Sequence, residues 1–123
     1  MIVIHTKYSV TPDNVAAVVA LNERFIARIA QNEPNFMCDL FANEDKTEWT
    51  CIEVAANADA LGNHLAGHGA DPEWMAAFQA ATSPQLFEIY GDLPDELAAG
   101  LAEHGPQFAP LLSVADRTVV TQR

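Results

Sequence analysis

Three side chains of this sequence have the chemical types needed for proton transfer and could meet on one sheet: Glu53, His5 and Tyr90. A partly buried glutamate has a raised pKa and can act as a base toward a phenolic substrate. His5 or Tyr90 would then orient Glu53. The alternative is an interface network in which Glu53 or Glu88 pairs with Lys7 or with an arginine of a partner subunit. The residue types alone leave both interpretations open.

His64 is a further candidate for acid–base chemistry, since an imidazole close to neutrality can shuttle a proton or donate a hydrogen bond. The alternative is a structural histidine at the mouth of a pocket. His64 and His68 are four residues apart, so on a continuous helix they could bind a metal together with Glu53. Gly67 is expected to end that helix before His68, and we therefore predict no metal site.

Several aromatic side chains could line a pocket for an aromatic ligand. Trp49, Trp74 and Phe78 are the main candidates, and His5 could contact the same ligand. Aromatic residues at such spacings also serve as ordinary core or interface residues. We predict these four as substrate-binding residues and keep the packing role as the alternative.

The cysteines indicate neither a disulfide scaffold nor a metal centre. Cys38 and Cys51 are the two in the chain, and their spacing is not that of a metal motif. They are expected to be free thiols in a reducing cytoplasm. The sequence also lacks a glycine-rich phosphate loop and a G-x-S-x-G motif, which excludes nucleotide-dependent and serine-hydrolase classes.

Length and charge limit the partners of the protein. The chain has 123 residues, which fits one domain, and a net charge of −11 from 6 Lys and Arg against 17 Asp and Glu. Such an acid excess without a basic stripe repels nucleic-acid phosphates and anionic lipid, so we expect neither as a partner. Met1 leads directly into strand-like sequence, with no signal-peptide pattern. A cytoplasmic location is the expectation.

The first half of the chain predicts a strand, a helix and a hairpin. Residues 2–10 alternate as in a strand, and Thr11-Pro12 then begins a helix that reaches about Asn32. Asn22 lies within the apolar stripe of that helix and needs a partner if it is buried. Segments 36–42 and 48–55 flank a polar loop and predict an antiparallel hairpin.

The second half predicts shorter elements. Asn57 should cap a helix over 58–66, and Asp71-Pro72 should begin another that stops at Ser83-Pro84. Residues 85–90 indicate a strand, 94–104 a helix, and 117–121 a fifth strand. The core order β-α-β-β-α-β predicts an α+β fold, a ferredoxin-like antiparallel sheet with helices on one face, plus a C-terminal helix and strand.

Alternation along the strands predicts which residues face the helices. We assign the most apolar positions to the covered face: Ile2, Ile4, Ile52, Val54, Phe87 and Ile89. The open face then carries His5, Lys7, Trp49, Cys51, Glu53, Glu88 and Tyr90. That surface is too apolar to stay wet yet carries polar groups, so a homodimer interface enclosing a small-molecule pocket is expected.

A hairpin centred between Glu44 and Asp45 would set the pairing of the two middle strands. Phe36 would pair with Glu53, Cys38 with Cys51, and Leu40 with Trp49.

Three stretches carry a resemblance to a known family. A strand ending in an acidic residue, Glu48–Val54, precedes a short helix with an Ala-Leu-x-x-His run over 60–64. An amphipathic aromatic helix, Pro72–Phe78, follows. Together they resemble the dimeric α/β-barrel superfamily, in particular antibiotic biosynthesis monooxygenase (ABM)-like domains. The resemblance covers residues 1–91, which we predict as the ABM-like domain. Residues 92–123 are predicted as a C-terminal extension packed on that domain or on the dimer partner.

The resemblance implies a homodimer with two sheets packed face to face and a small molecule bound in each subunit. It also implies a monooxygenase that needs no cofactor and acts on a small aromatic or quinol-like molecule. In that mechanism Glu53 or His64 would be the base, and Tyr90 and Trp49 would position the ring. The alternatives are a non-catalytic binding or assembly homodimer and a haem-binding or haem-degrading protein, since the family contains all of these.

Overall fold

The computed structural model describes residues 1–104 and 111–115. Within these ranges the chain forms five strands and four α-helices, in the order β1 (Ile2–Ser9), α1 (Val15–Asn32), β2 (Phe36–Ala42), β3 (Glu48–Ala55), α2 (Ala58–Gly69), α3 (Pro72–Ala81), β4 (Ser83–Gly91), α4 (Asp95–His104) and β5 (Leu112–Ala115). The strand predicted at 117–121 lies outside the described residues.

The strands form one sheet in the order β2-β3-β1-β4-β5. The first four are antiparallel to their neighbours, and β1 lies between β3 and β4. This is the ferredoxin-like arrangement, which confirms the predicted fold class. The short β5 pairs in parallel with β4 and makes the sheet mixed at that edge.

Helix α1 packs through the predicted apolar stripe, with Val18, Leu21, Phe25 and Ile29 all buried. Ile26 is the exception, since it is 37% exposed. The helix begins after a 3-10 turn at Pro12–Asn14, whose proline fits the first helical position. Within the described ranges, no helix combines the length and the apolar character that a bilayer crossing requires.

The predicted caps of α2 and α3 are confirmed. The side chain of Asn57 accepts a hydrogen bond from the Ala60 amide at 2.9 Å, and that of Asp71 accepts one from the Trp74 amide at 3.2 Å. The predicted end of α2 at Gly67 is wrong, because the helix continues to Gly69. The guanidinium of Arg28 donates to the Gly67 carbonyl at 3.3 Å, and such tertiary contacts outweigh the poor helix propensity of glycine.

The predicted faces are correct for β1 and β4 and wrong for β3. Glu53 pairs with Ile4 across the sheet, and directly opposite residues share a face. Cys51 and Glu53 are therefore buried beneath the helices, and Trp49 lies on the same face. Ile52, half-buried, lies on the open face. The assumption that the most apolar residues face the core fails for β3, because His64 on α2 provides a buried ion-pair partner for Glu53 on the covered face.

The predicted hairpin register is wrong by two residues. Phe36 pairs with Ala55, Cys38 with Glu53, and Leu40 with Cys51. The loop is centred one residue later than expected because the Asn43 side chain accepts hydrogen bonds from the amides of Thr47 and Glu48, each at 3.0 Å. Lys46 adopts a left-handed conformation, with φ 60°, to close this turn. A shift of two residues preserves the face, so Cys38 and Cys51 still lie side by side.

The hydrophobic core fills the space between the covered face and the helices. Ile2, Ile89, Val18 and Leu61 are almost completely buried. Leu101 of α4 joins the same cluster, and α4 packs against α2. The division into residues 1–91 and 92–123 remains a prediction.

Gly91 closes the end of β4 with φ 113°, where an added Cβ would collide with the carbonyl oxygen of Met1. We expect Gly91→Ala to lower the free energy of unfolding by about 1–3 kcal/mol, measured by urea denaturation, because both strain and the clash oppose it. Gly62→Ala is the control. Its Cβ would meet only Leu97 Cδ2, at 3.7 Å, so that variant should match or exceed the native protein. Equal stability of Gly91→Ala and the native protein would contradict the strain assigned to Gly91.

Candidate functional site

A cavity of about 100 Å³ lies between the covered sheet face and helices α1, α2 and α3. Its walls are largely apolar and aromatic, with Phe25, Leu65, Trp74, Met75, Phe78 and Phe87 among them. Its polar lining includes Tyr8, Asn22, Cys51, Glu53, His64 and His68. An apolar cavity with a few convergent polar groups is the usual form of a small-molecule site.

Two carboxylates hold the imidazole of His64 between them. Nδ1 of His64 lies 2.7 Å from Oε1 of Glu33, and Nε2 lies 3.3 Å from Oε2 of Glu53. All three side chains are buried, and His64 is only 2% exposed. His64 and Glu53 line the cavity. The arrangement fixes both ring nitrogens of His64, with Nε2 toward the ligand site and Nδ1 toward the protein interior.

The three members come from three different elements. Glu33 is the C-cap of α1, Glu53 lies on β3, and His64 lies in the middle of α2. The ring of Phe36 stacks on the imidazole of His64 with the centroids 3.9 Å apart, and Phe25 contacts the same imidazole edge-on at 5.7 Å. These aromatic rings exclude water from the pair and hold the imidazole in one orientation.

The ionisation of this group follows from its pairing. Burial alone disfavours a charged imidazole, but the hydrogen bonds and charges of Glu33 and Glu53 outweigh it and raise the pKa of His64 to about 9. For Glu53, burial acts to raise the pKa, and the hydrogen bond and charge of His64 overcome it, so the pKa of Glu53 falls below its usual value. At neutral pH the pair is therefore an imidazolium and a carboxylate.

Arg28 supplies the second positive charge. Its Nε lies 3.7 Å from Oε2 of Glu33, and its guanidinium lies over the ring of Phe25 at 5.3 Å. Arg28 and His64 thus balance Glu33 and Glu53 in charge. A buried cluster of ions needs this balance, because an unpaired charge in the interior is strongly destabilising.

His68 extends the polar row along α2. Its Nε2 lies 3.1 Å from Nε2 of His64, and its ring packs 5.6 Å from those of Phe25 and Trp74. Which of the two nitrogens donates depends on the tautomers of the two rings. His64 and His68 do share one continuous helix, contrary to the expectation from Gly67.

The buried Asn22 finds its partner in Tyr8, since Asn22 Nδ2 donates to the Tyr8 hydroxyl at 2.9 Å. Burial raises the pKa of Tyr8 well above its ordinary value and keeps the hydroxyl protonated, although the Asn22 hydrogen bond opposes the shift. Trp74 Nε1 donates to the Leu21 carbonyl at 2.9 Å. These hydrogen bonds tie α3 and β1 to α1 around the cavity.

The structure separates the predicted site residues into two groups. Glu53, His64, Trp74 and Phe78 line the cavity. The predicted meeting of Glu53 with His5 and Tyr90 is wrong, because the parity of β3 places Glu53 on the opposite face. A second polar cluster forms on the open face instead. His5 Nδ1 lies 3.7 Å from Glu88 Oε1, and the Tyr90 hydroxyl donates to the carboxylate of Glu88.

Trp49 lies outside the cavity lining. Its ring stacks on that of Tyr8 with the centroids 6.3 Å apart, and its Nε1 donates to the Lys46 carbonyl at 2.8 Å. It borders a shallow groove beside α1 together with Leu40 and Val19. The contacts therefore fit the packing alternative for Trp49.

The sequence interpretation missed Glu33 as a functional residue, since Glu33 lies just beyond the predicted end of the helix at about Asn32. A signal was present, however. Phe25, Ile29 and Glu33 follow one another at four-residue spacing, so Glu33 continues the buried stripe of α1. An acidic residue that continues a buried stripe requires a buried partner, and that requirement points to His64.

Known structures share this architecture. MupZ from Pseudomonas fluorescens matches with a TM-score of 0.71 and 20% identity over 99% of this chain and 93% of its own. A protein described as an antibiotic biosynthesis monooxygenase matches with a TM-score of 0.58 and 20% identity, covering 72% and 93% of the two chains. SnoaB, a cofactor-independent oxygenase from Streptomyces nogalater, matches with a TM-score of 0.51 and 23% identity, covering 72% and 88%.

No family model matches the sequence, and no curated protein matches it either. The structural matches confirm the predicted fold, which this chain shares with MupZ and with the two oxygenase structures.

The raised pKa of His64 predicts a pH-dependent stability. The pairing stabilises the fold fully below about pH 6.5, the ordinary histidine value, and is lost as the pH rises through about 9. We expect Glu33→Gln to lower the free energy of unfolding by about 3 kcal/mol at pH 6 and by clearly less at pH 9.5, because it leaves His64 with one carboxylate. Urea denaturation at a series of pH values measures this difference.

The matched control is Glu23→Gln, an exposed change on the same helix. It should alter stability by no more than about 0.5 kcal/mol at either pH. A histidine titration by NMR would report the pKa of His64 directly. A destabilisation by Glu33→Gln that is the same at pH 6 and pH 9.5 would contradict the ion pair.

Proposed function

We propose that the protein is a cofactor-independent monooxygenase that acts on a small aromatic or quinol-like molecule bound in the cavity. One observation carries the proposal: a buried His64 lines the cavity, and its Nδ1 is held by Glu33 at 2.7 Å. A carboxylate on Nδ1 orients a histidine to act as a general base through Nε2. In the proposed reaction, Nε2 exchanges its contact with Glu53, at 3.3 Å, for the substrate proton.

His64 is a better base than Glu53. The pKa of Glu53 lies below its usual value, so its carboxylate holds a proton weakly. The pKa of His64 is about 9, close to the value of about 10 typical of a phenol such as tyrosine. Proton transfer is most effective between groups of matched pKa. His64 therefore takes the substrate proton, and Glu53 accepts a hydrogen bond from a substrate hydroxyl.

The reaction needs only the substrate, O₂ and a base. His64 removes the hydroxyl proton of the phenol or quinol, and the negative charge of the resulting anion spreads to a CH carbon ortho or para to that oxygen. This carbanion is oxidised as O₂ forms a C–O bond. The O–O bond of this peroxide then breaks. One oxygen stays on carbon as a carbonyl, and the other leaves with the two substrate hydrogens as water. The aromatic walls exclude bulk water from the carbanion.

The size of the cavity limits the substrate. A volume of about 100 Å³ is smaller than the roughly 150 Å³ of an engineered cavity that binds benzene. Even a single ring would therefore have to displace some of the side chains that line the cavity, such as Trp74, Phe78 or Phe25. Larger polycyclic molecules would require these side chains or α3 to move. The same limit argues against haem.

The structural matches support the oxygenase proposal, because SnoaB is described as a cofactor-independent oxygenase. The alternative of a non-catalytic binding domain shares the fold and the cavity. It is distinguished by the charged group around His64, since a site that only binds an apolar ring has no use for a buried imidazolium between two carboxylates.

The proposal predicts a pH profile. We expect kcat/KM for oxygen uptake with phenol or quinol substrates to rise tenfold per pH unit and to level off near pH 9, because neutral His64 is the active form. Glu33→Gln should move the inflection to lower pH, and His64→Gln should lower kcat/KM by about 10²–10⁴-fold.

The control is Glu48→Gln, an exposed substitution on β3 outside the cavity, which should leave the profile unchanged. An inflection that stays in place in Glu33→Gln would belong to the substrate and would count against His64 as the base. Absence of oxygen uptake with phenols and quinols at pH 9 would favour the binding domain.

We also propose that the open face forms a homodimer, with the two sheets packed against each other. This face carries Met37 and Phe41, which are 54% and 58% exposed, and half-buried Ile52 and Val54. Apolar side chains concentrated on one sheet face mark an interaction surface. Its polar cluster around Glu88 would then lie within the interface. A cytoplasmic location remains part of this proposal.

Phe41→Glu tests the dimer. We expect the native protein to sediment at twice its mass of 13.3 kDa and Phe41→Glu to shift toward monomer at micromolar concentration, because a charge would be buried in the interface. Ile26→Glu is the matched control, since Ile26 is 37% exposed on α1. A monomeric native protein, or equal dissociation of both variants, would refute this dimer.

A further inference from the structure

A cluster of three potential metal ligands lies at the edge of the cavity, on the covered face of the hairpin. Cys38 Sγ, Cys51 Sγ and a carboxylate oxygen of Glu53 all lie within 4.8 Å of one another. The two sulfurs are 3.4 Å apart, and Cys51 Sγ lies 3.3 Å from Glu53 Oε1. The proton-transfer proposal uses neither cysteine.

We propose that Cys38, Cys51 and Glu53 form a binding site for a borderline-soft divalent cation of the Zn²⁺ class. A tetrahedral Zn²⁺ with bonds of about 2.3 Å to sulfur and 2.0 Å to oxygen separates two sulfurs by about 3.8 Å and a sulfur from an oxygen by about 3.5 Å. The observed separations are 3.4 Å and 3.3 Å. These two pairs need shifts of only a few tenths of an ångström. The third pair, Cys38 Sγ and the Glu53 oxygen, lies within 4.8 Å and must approach to about 3.5 Å around the ion.

A disulfide is the competing fate of the two thiols. It requires the sulfurs to approach from 3.4 Å to about 2.05 Å. Cys38 pairs with Glu53 and Cys51 with Leu40, so the two cysteines are diagonal neighbours in the hairpin. Diagonal positions lie farther apart than directly paired ones. The two sulfurs thus move less to bind the metal than to form the disulfide.

The surrounding charges suit a divalent cation. Two thiolates and a carboxylate carry three negative charges, and the bound ion leaves one. The imidazolium of His64, whose Nε2 lies 3.3 Å from Glu53, compensates that remaining charge. Binding releases the two thiol protons, because the thiolate is the form that binds metal.

The site also has a route for entry. Cys51 and Glu53 line the cavity, and Cys38 is half-buried at its edge. Three protein ligands leave the fourth coordination position for a water molecule or a small donor. This proposal does not depend on the oxygenase, and a bound ion would occupy the carboxylate of Glu53.

The test is a titration of reduced, untagged protein with Co²⁺ or Cd²⁺, without substrate. The chain has two cysteines, so any thiolate-to-metal charge-transfer absorption comes from Cys38 and Cys51. We expect one ion per chain, release of two protons in weak buffer, and loss of the absorption in Cys38→Ser and Cys51→Ser. Glu53→Gln should weaken binding at least about tenfold, and Glu48→Gln should not.

Far-UV circular dichroism checks that each variant is folded. If the buried Cys51→Ser does not fold, Cys38→Ser, at a half-buried position, still tests the site. Absence of a charge-transfer band, or a band that Glu53→Gln leaves at full affinity, overturns the proposal. So does oxidation to a disulfide, seen as a loss of two hydrogens by mass, in protein that binds no ion when reduced. Oxygen uptake by chelator-treated protein is measured separately, so either proposal can fail alone.

Discussion

A protonated imidazole in a protein interior must be paired, and the pairing of His64 organises the elements around the cavity. Glu33 and Glu53 approach it from opposite sides at 2.7 Å and 3.3 Å. Because the three residues come from α1, β3 and α2, the pairing fixes where α1 ends, which face of β3 is covered and how α2 is rotated. Arg28 then completes the charge balance behind Glu33.

Such a buried ion group is a weak source of net stability, because desolvation offsets most of the attraction between the charges. Its value lies in specifying one arrangement. If β3 presented Ile52 and Val54 to the helices, the sheet would bury more apolar surface. His64 would then lose Glu53 and keep a charge with one carboxylate, which costs several kcal/mol. The observed face of β3 avoids that cost and leaves two apolar residues on the open face.

The same pairing links stability to chemistry. The carboxylates that compensate the buried charge of His64 also raise its pKa to about 9. A raised pKa is what the proposed base toward phenols requires. The two sheet faces consequently differ in character. The covered face holds the cavity with His64, Glu53 and Cys51, and the open face holds the exposed apolar residues and the His5, Glu88 and Tyr90 cluster.

The sequence by itself determined the first four strands, the four helices and the fold class, whereas the fifth strand, Leu112–Ala115, was not predicted. Caps such as Asn57 and Asp71, and the apolar stripe of α1, act between residues close in the chain, so they can be recognised locally. The sequence also indicated Glu53, His64, Trp74 and Phe78 as pocket residues, and these four line the cavity. Only the tertiary structure decided the face of β3 and brought Glu33 to His64. Both depend on a partner 11 or 31 residues away, and period-two alternation along a strand is equally consistent with either face.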